Sequence, residues 1–256
     1  MSNVIVFANQ KGGVGKTTSA VNIGASLAEK DQKVLLIDFD PQGNLSSSVG
    51  LFNNEKTIYS ALAGQFSINE VIHAIPEFKL DVIPATIDLS AASLELADQE
   101  KREYFLKELL DPIKERYDFI LIDCPPSLDL LTINGIVASD AIIIPVQCEF
   151  FAAQGFLTLL FNTISRIKQR LNPKLHILGV IFTMYDSRTR LAQEVIEMVV
   201  EKVGDPSLFF KTVIPRNVKL AEAPSHSQPV TQYASASSGA ERYRNLAQEV
   251  LERVKK

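Results

Sequence analysis

The chain predicts an α/β fold, a single domain with a mainly parallel sheet and helices on both faces, and three observations carry that expectation. Short, near-continuous runs of Val, Ile and Leu alternate with stretches of helical periodicity, as expected for strands buried on both faces and joined by crossover helices. The first of these runs passes directly into a glycine-rich stretch and then into a helical one, which is a strand, a tight turn and a helix in succession. With 256 residues, 46% apolar and 22% charged, the chain can bury a large core.

Taken in order, residues 4–8 (VIVFA) form the first strand. Residues 9–18 (NQKGGVGKTT) form the turn, and Ala20, Ile23, Gly24, Leu27 and Ala28 recur behind it at helical spacing. A second buried strand at 33–37 runs into Asp38-Phe39-Asp40-Pro41-Gln42-Gly43. Signals weaken over residues 44–79, where short polar helices are expected to cover one end of the sheet. Ser46, Ser47 and Ser48 read there as loop or frayed helix rather than as a site. Further strands are expected at 80–84, 118–122, 141–146, 175–183 and 211–214, with a helix at Leu130–Ala138. The last helix, 240–256, sets Tyr243, Leu246, Ala247, Val250, Leu251 and Val254 on one face and reads as docked against the core.

Several function classes recede on composition. No segment has the apolar length needed to span a bilayer, and a strand beginning within a few residues of the N-terminus leaves no room for a signal peptide, so a cytoplasmic protein is expected. Cys124 and Cys148 are too few for a disulfide framework, and His73, His176 and His226 sit in no metal-ligand spacing. A net charge of −4, from 26 basic and 30 acidic side chains, means that any nucleic-acid contact must come from a local patch.

The glycine-rich turn carries the strongest chemistry. Gly12, Gly13 and Gly15 let backbone N–H groups converge on an anion, and the helix beginning near Lys16 adds unpaired N–H groups and the positive end of its dipole. Lys16 supplies a cation for nucleotide phosphates, and the Thr17 hydroxyl suits the Mg²⁺ that accompanies them. Asp38 and Asp40 close the second strand, where one could orient water and the other a magnesium-bound water or a backbone group; the Pro41–Gly43 turn could then respond to a γ-phosphate. The apolar run ending in Asp123 has the Walker B form, whose carboxylate reaches Mg²⁺ directly or through water. The Pro125-Pro126-Ser127 turn after it is a second candidate γ-phosphate sensor.

The usual phosphate loop has glycine where this chain has Gln10, and the chain instead carries Lys11 in the form KGGVGKTT. That form resembles the deviant Walker A ATPases. Together with DFDPQG, IDCPPS, LLTIN, IPVQCE, VIPRNV and EAPSHS, it resembles the Soj type of the ParA partition ATPases over residues 4–251. The resemblance implies a P-loop ATPase domain over 1–256 without the helix-turn-helix extension of larger relatives. It also implies ATP and Mg²⁺ as cofactors and an ATP-dependent homodimer that binds double-stranded DNA non-specifically. Hydrolysis would be stimulated by a ParB-type centromere-binding protein, in a nucleoid-associated role in chromosome segregation, with replication control open as a second role.

By motif, ATP falls to Lys11, Gly12, Gly13, Val14, Gly15, Lys16, Thr17 and Thr18, and the adenine side to Pro215 and Asn217. Lys11 reaches the partner's phosphates and Asp40 supports hydrolysis. DNA contacts are implied at Arg188 and within 216–219. Arg188, Arg190, Arg216 and Lys219 lie in two loops after late strands, a distribution that suits phosphate contacts. Lys219 keeps the charge of the arginine expected there but lacks its fork. The alternative is a MinD-like membrane-associated ATPase, disfavoured because Glu241, Glu249 and Glu252 on the last helix oppose an anionic surface. Neither a second substrate pocket for a dethiobiotin synthetase-like ligase nor an iron–sulfur ligand set is legible.

Overall fold

The computed structural model describes residues 2–149 and 156–255. Its strands are β1 (Asn3–Phe7), β2 (Val34–Asp38), β3 (His73–Ile75), β4 (Leu80–Ile83), β5 (Phe119–Asp123), β6 (Ala141–Gln147) and β7 (His176–Thr183). They form one sheet in the order β3-β4-β2-β5-β1-β6-β7. All neighbours are parallel except the edge pair β3–β4.

The two faces of the sheet follow from strand alternation. Val4, Val6, Leu35, Ile37, Ile120 and Ile122 look to one side, and Ile5, Phe7, Leu36 and Leu121 to the other. The second side is covered by α1 (Lys16–Ala28) and the last helix, while the first takes most of the remaining helices. In chain order the helices after α1 are α2 (Asn44–Ser48), α3 (Ile58–Leu62), α4 (Leu89–Glu95), α5 (Phe105–Leu110), α6 (Leu130–Ala138), α7 (Phe156–Arg170), α8 (Arg190–Val203), α9 (Val218–Glu222), α10 (Val230–Tyr233) and α11 (Ser238–Arg253), of which α3 to α8 pack on the first side and α2, α9, α10 and α11 on the second. Tyr243 of α11 is buried, and its hydroxyl meets Ser19 Oγ of α1 at 3.3 Å. The apolar face of the last helix is thus already occupied. Lys256, included in the expected helix, lies outside the described residues.

Two expectations need correction. Residues 211–214 do not form a ladder strand. Phe210 and Ile214 donate to Val180 and Phe182 of β7, but the N–H groups of Lys211 and Thr212 turn instead to the Glu249 carboxylate on α11, at 2.8 and 2.7 Å. Ser46–Ser48 are ordered into α2 rather than loop or frayed helix: the Ser46 N–H and hydroxyl both donate to Asp38 Oδ2, at 2.8 and 2.7 Å. The edge strand β3, three residues long, was not expected at all.

Candidate active site

The carboxyl ends of β1, β2, β5, β6 and β7 meet along one edge of the sheet, and strand order reverses about β1, the position at which open parallel sheets collect ligands. After β1 the chain turns through Gly13 and Gly15, with φ of 72° and 87°. Side chains with a Cβ rarely adopt that conformation. Gly15 is the N-cap of α1 and offers no side chain to its first N–H groups, so these remain for an anion. Thr183, the last residue of β7, steadies the loop from the far side by donating its hydroxyl to the Val14 carbonyl at 2.8 Å.

A cleft of about 470 Å³ opens here, lined by Gly12, Gly13, Gly15, Lys16, Thr17 and Thr18, and by Asp40 opposite them. Lys16 is 7% exposed and donates to the Lys11 carbonyl at 3.3 Å. Burial pulls its ammonium below the ordinary lysine value, against the opposing pull of Asp123 and Asp40. A buried cation short of strong partners is prepared for phosphate.

Thr17 Oγ1 donates to Asp123 Oδ2 at 2.5 Å, while Asp123 Oδ1 is buried with no hydrogen-bond partner among the described residues. Burial first, and then the charge of Asp38, hold the Asp123 carboxyl well above the usual carboxylate range. An orphaned carboxylate oxygen beside a threonine hydroxyl fits Mg²⁺, a hard cation that takes few protein ligands and leaves the rest to water and phosphate. No cluster of three acidic, histidine or cysteine ligands exists among the described residues, and this mode of binding requires none.

The two aspartates of DFDPQG separate. Asp38 is fully buried and ties down the following turn, accepting from Ser46 and, at 3.3 Å, from the Asp40 N–H. Asp40 lines the cleft and accepts from the Gln42 N–H at 3.0 Å. Cys124 is buried with its thiol pushed well up by desolvation, and Cys148 is pushed up to about 12 by the same cause, so both are core side chains.

Lys11 is not among the residues lining its own cleft. Its Nζ donates to Gln147 Oε1 at 3.2 Å and stands 3.7 Å from Glu149 Oε2. Pro215 and Asn217 also lie outside the lining. Pro215 bridges to Tyr185, and Asn217 caps α9 through the Lys219 N–H at 2.8 Å while donating to Ser238 Oγ. Sequence reasoning missed Met184, Pro224, Ser47 and Ser48, which do line the cleft. Met184 has φ of 53° and its Sδ accepts from Gln147 Nε2 at 3.2 Å, but no local sequence signal marks it.

The two loops that carry Arg188 and Arg216 are joined through their backbones. Tyr185 donates its N–H to the Ile214 carbonyl and accepts from the Arg216 N–H, which stitches the two loops together. Arg188 forks onto Asp186 at 2.9 and 2.7 Å, and those bonds lower the Asp186 carboxyl to about 2. Arg216 Nη2 lies 3.4 Å from Glu149 Oε1, and Lys219 Nζ lies 2.9 Å from Glu222 Oε2. Arg190 is exposed at the start of α8.

A protein-family model described as an AAA domain matches residues 2–177. The chain is 53% identical over 253 residues to the chromosome-partitioning ATPase Soj of Treponema pallidum (strain Nichols), covering 99% of this chain and 98% of that one. It is 49% identical over 252 residues to the sporulation initiation inhibitor protein Soj of Bacillus subtilis (strain 168), covering 98% of each. Among solved structures it resembles cobyrinic acid a,c-diamide synthase from Mycobacterium smegmatis with bound ADP and magnesium, at a TM-score of 0.86 and 35% identity over 100% of this chain and 96% of that one. Near-complete coverage at about half identity, together with a phosphate loop built at the switch point of this sheet, makes the chain a member of the Soj/ParA family of chromosome-partitioning ATPases.

Proposed function

We propose that this chain is an ATP- and Mg²⁺-dependent partition ATPase whose ATP-bound dimer holds duplex DNA without sequence preference. A ParB-type centromere-binding protein stimulates hydrolysis and so releases it, in a cytoplasmic, nucleoid-associated role in chromosome segregation. The loop amides and Lys16 hold the phosphates. Thr17 and Asp123 hold Mg²⁺, which offsets phosphate charge. Asp40, on the opposite wall, positions water, and Lys11 acts on the phosphates of the second copy, where a cation stabilises charge developing on the transferred group.

One observation supports this reading: the end of β7 and the two residues after it join the nucleotide cleft to the basic loops. The last residue of β7, Thr183, holds the phosphate loop, Met184 lines the cleft, and Tyr185 is bonded to the loop bearing Arg216. A change at the phosphates therefore has a short covalent path to the basic loops. The name of the diamide synthase suggests small-molecule chemistry on the same fold, but the partition relatives are closer in sequence over the whole chain.

The test is binding of purified protein to random-sequence duplex DNA with ATP or ADP across a salt series. Binding that requires ATP and falls steeply with salt is expected, because neutralised phosphates release counterions. Arg188→Glu should weaken that binding and leave ATP-dependent self-association intact. DNA affinity equal in the two nucleotide states would overturn the coupling, and indifference to DNA in both would favour a membrane-acting relative.

A further inference from the structure

Glu149 lies just beyond the end of β6 and faces two cations that belong to different parts of the molecule. Its Oε2 is 3.7 Å from Lys11 Nζ in the phosphate loop, and its Oε1 is 3.4 Å from Arg216 Nη2 in a basic loop. The other carboxylates at the basic loops are local. Asp186 pairs with Arg188 inside one turn, and Glu222 pairs with Lys219 along α9. Among the described residues, Glu149 alone forms ion pairs to both the phosphate loop and a basic loop. All three members are solvent-accessible, with side-chain exposures of 28%, 45% and 63% for Lys11, Glu149 and Arg216, so neither pair is locked by burial.

One anion between two cations has a definite logic. While both are present, Lys11 and Arg216 repel each other and share a single negative charge. When one leaves, the carboxylate is wholly available to the other and holds it more firmly.

We infer that Glu149 is a positioning residue shared by Lys11 and Arg216, which turns to Arg216 when Lys11 is drawn to nucleotide phosphates and thereby limits DNA binding in the ATP state. This rests on the reading that Arg216 contacts DNA and that Lys11 reaches phosphates across a dimer. Glu149 is then a brake. It competes with DNA phosphate for Arg216 most strongly in the state that binds DNA best, which keeps the complex easy to leave. The reciprocal follows by linkage: DNA on Arg216 leaves Glu149 to hold Lys11.

The experiment measures affinity of the full chain for random duplex DNA at low salt, with ADP and with a slowly hydrolysed ATP analogue, in wild type, Glu149→Gln and Glu222→Gln. Half-exposed pairs of this kind are worth roughly a two- to fivefold change in affinity. Glu149→Gln is expected to raise affinity by about that factor in the analogue state and by clearly less with ADP. Glu222→Gln, whose partner never changes, should give the same gain in both states. The Glu149→Gln gain should vanish in an Arg216→Ala background.

An equal gain from Glu149→Gln in both nucleotide states, no gain, or a gain that survives Arg216→Ala would each overturn the shared-partner assignment. A second arm needs no DNA. Freed from Glu149, Lys11 should let the analogue-bound chain self-associate more tightly in Glu149→Gln but not in Glu222→Gln, and unchanged self-association overturns the Lys11 half. Wild type that ignores DNA in both states would refute the DNA-binding reading itself, a result distinct from wild type that binds while Glu149→Gln behaves like it.

Discussion

Asp38 and Asp40 stand two residues apart and have different consequences for the molecule. Asp38 accepts three hydrogen bonds yet is so deeply buried that its carboxyl rises from 3.8 to about 6. Its folded value exceeds its unfolded one, so between about pH 4 and 6 the folded chain keeps a proton that the unfolded chain has lost. The contribution to stability is therefore greatest below the unfolded value and is lost as pH rises through the folded one. Across the window this amounts to at most about 3 kcal/mol. Asp38→Asn should remove that slope, so the stability difference, wild type minus variant, shrinks as pH rises from about 4 to 7 in denaturant titrations. A difference that stays constant would mean that Asp38 titrates alike in both states. Five residues on, Gly43 has φ of 63°, and a Cβ there would sit 3.1 Å from the Ala85 carbonyl oxygen. Gly43→Ala should cost about 1–2 kcal/mol with an unchanged denaturant slope, since it forces a side chain into left-handed backbone against another strand's exit.

At the scale of elements, Glu249 of α11 decides what residues 211–214 become. Their alternation resembles a strand, and they do run beside β7, but two of their N–H groups are claimed by a carboxylate from a helix distant in sequence. Glu249→Ala should therefore leave the part-buried Thr212 N–H without its acceptor, while the exposed Lys211 N–H turns to water, and destabilise the chain by about 1–2 kcal/mol, beyond the effect of an ordinary surface glutamate. Amide hydrogen exchange at Lys211 and Thr212 should accelerate while that of β6 does not. Such a contact is invisible to periodicity, because nothing near residue 211 announces a partner on the last helix. The interior strands were legible for the opposite reason. β1, β2, β5 and β6 are buried on both faces, so their residue types alone betray them. β3, with three residues only partly buried, has no room for a period to appear. The phosphate loop was likewise readable because it is contiguous, whereas Met184, Pro224, Ser47 and Ser48 reach the cleft from separate segments that only the sheet order assembles.

At the scale of the whole molecule, the position of Lys11 bears on how many chains make one working site. Lys16 lines the cleft of its own chain, as does Asp40, but Lys11 is drawn off towards Gln147 and Glu149. If Lys11 serves a second copy, each site combines Lys16 and Asp40 from one chain with Lys11 from the other. Lys11→Ala and Asp40→Ala should then each be nearly inactive alone, yet regain part of wild-type turnover when mixed. In the mixed dimer, the chain carrying Lys11→Ala keeps its own Asp40 and receives an intact Lys11 from its partner, so one of the two sites is complete. If Lys11 instead swung back into its own cleft on binding ATP, every site in the mixture would lack one residue or the other, and mixing would restore nothing. Steady-state turnover as a function of mixing ratio separates the two arrangements. A maximum at equal amounts is the signature of the shared site, and a flat line at the level of the separate variants would assign Lys11 to its own chain.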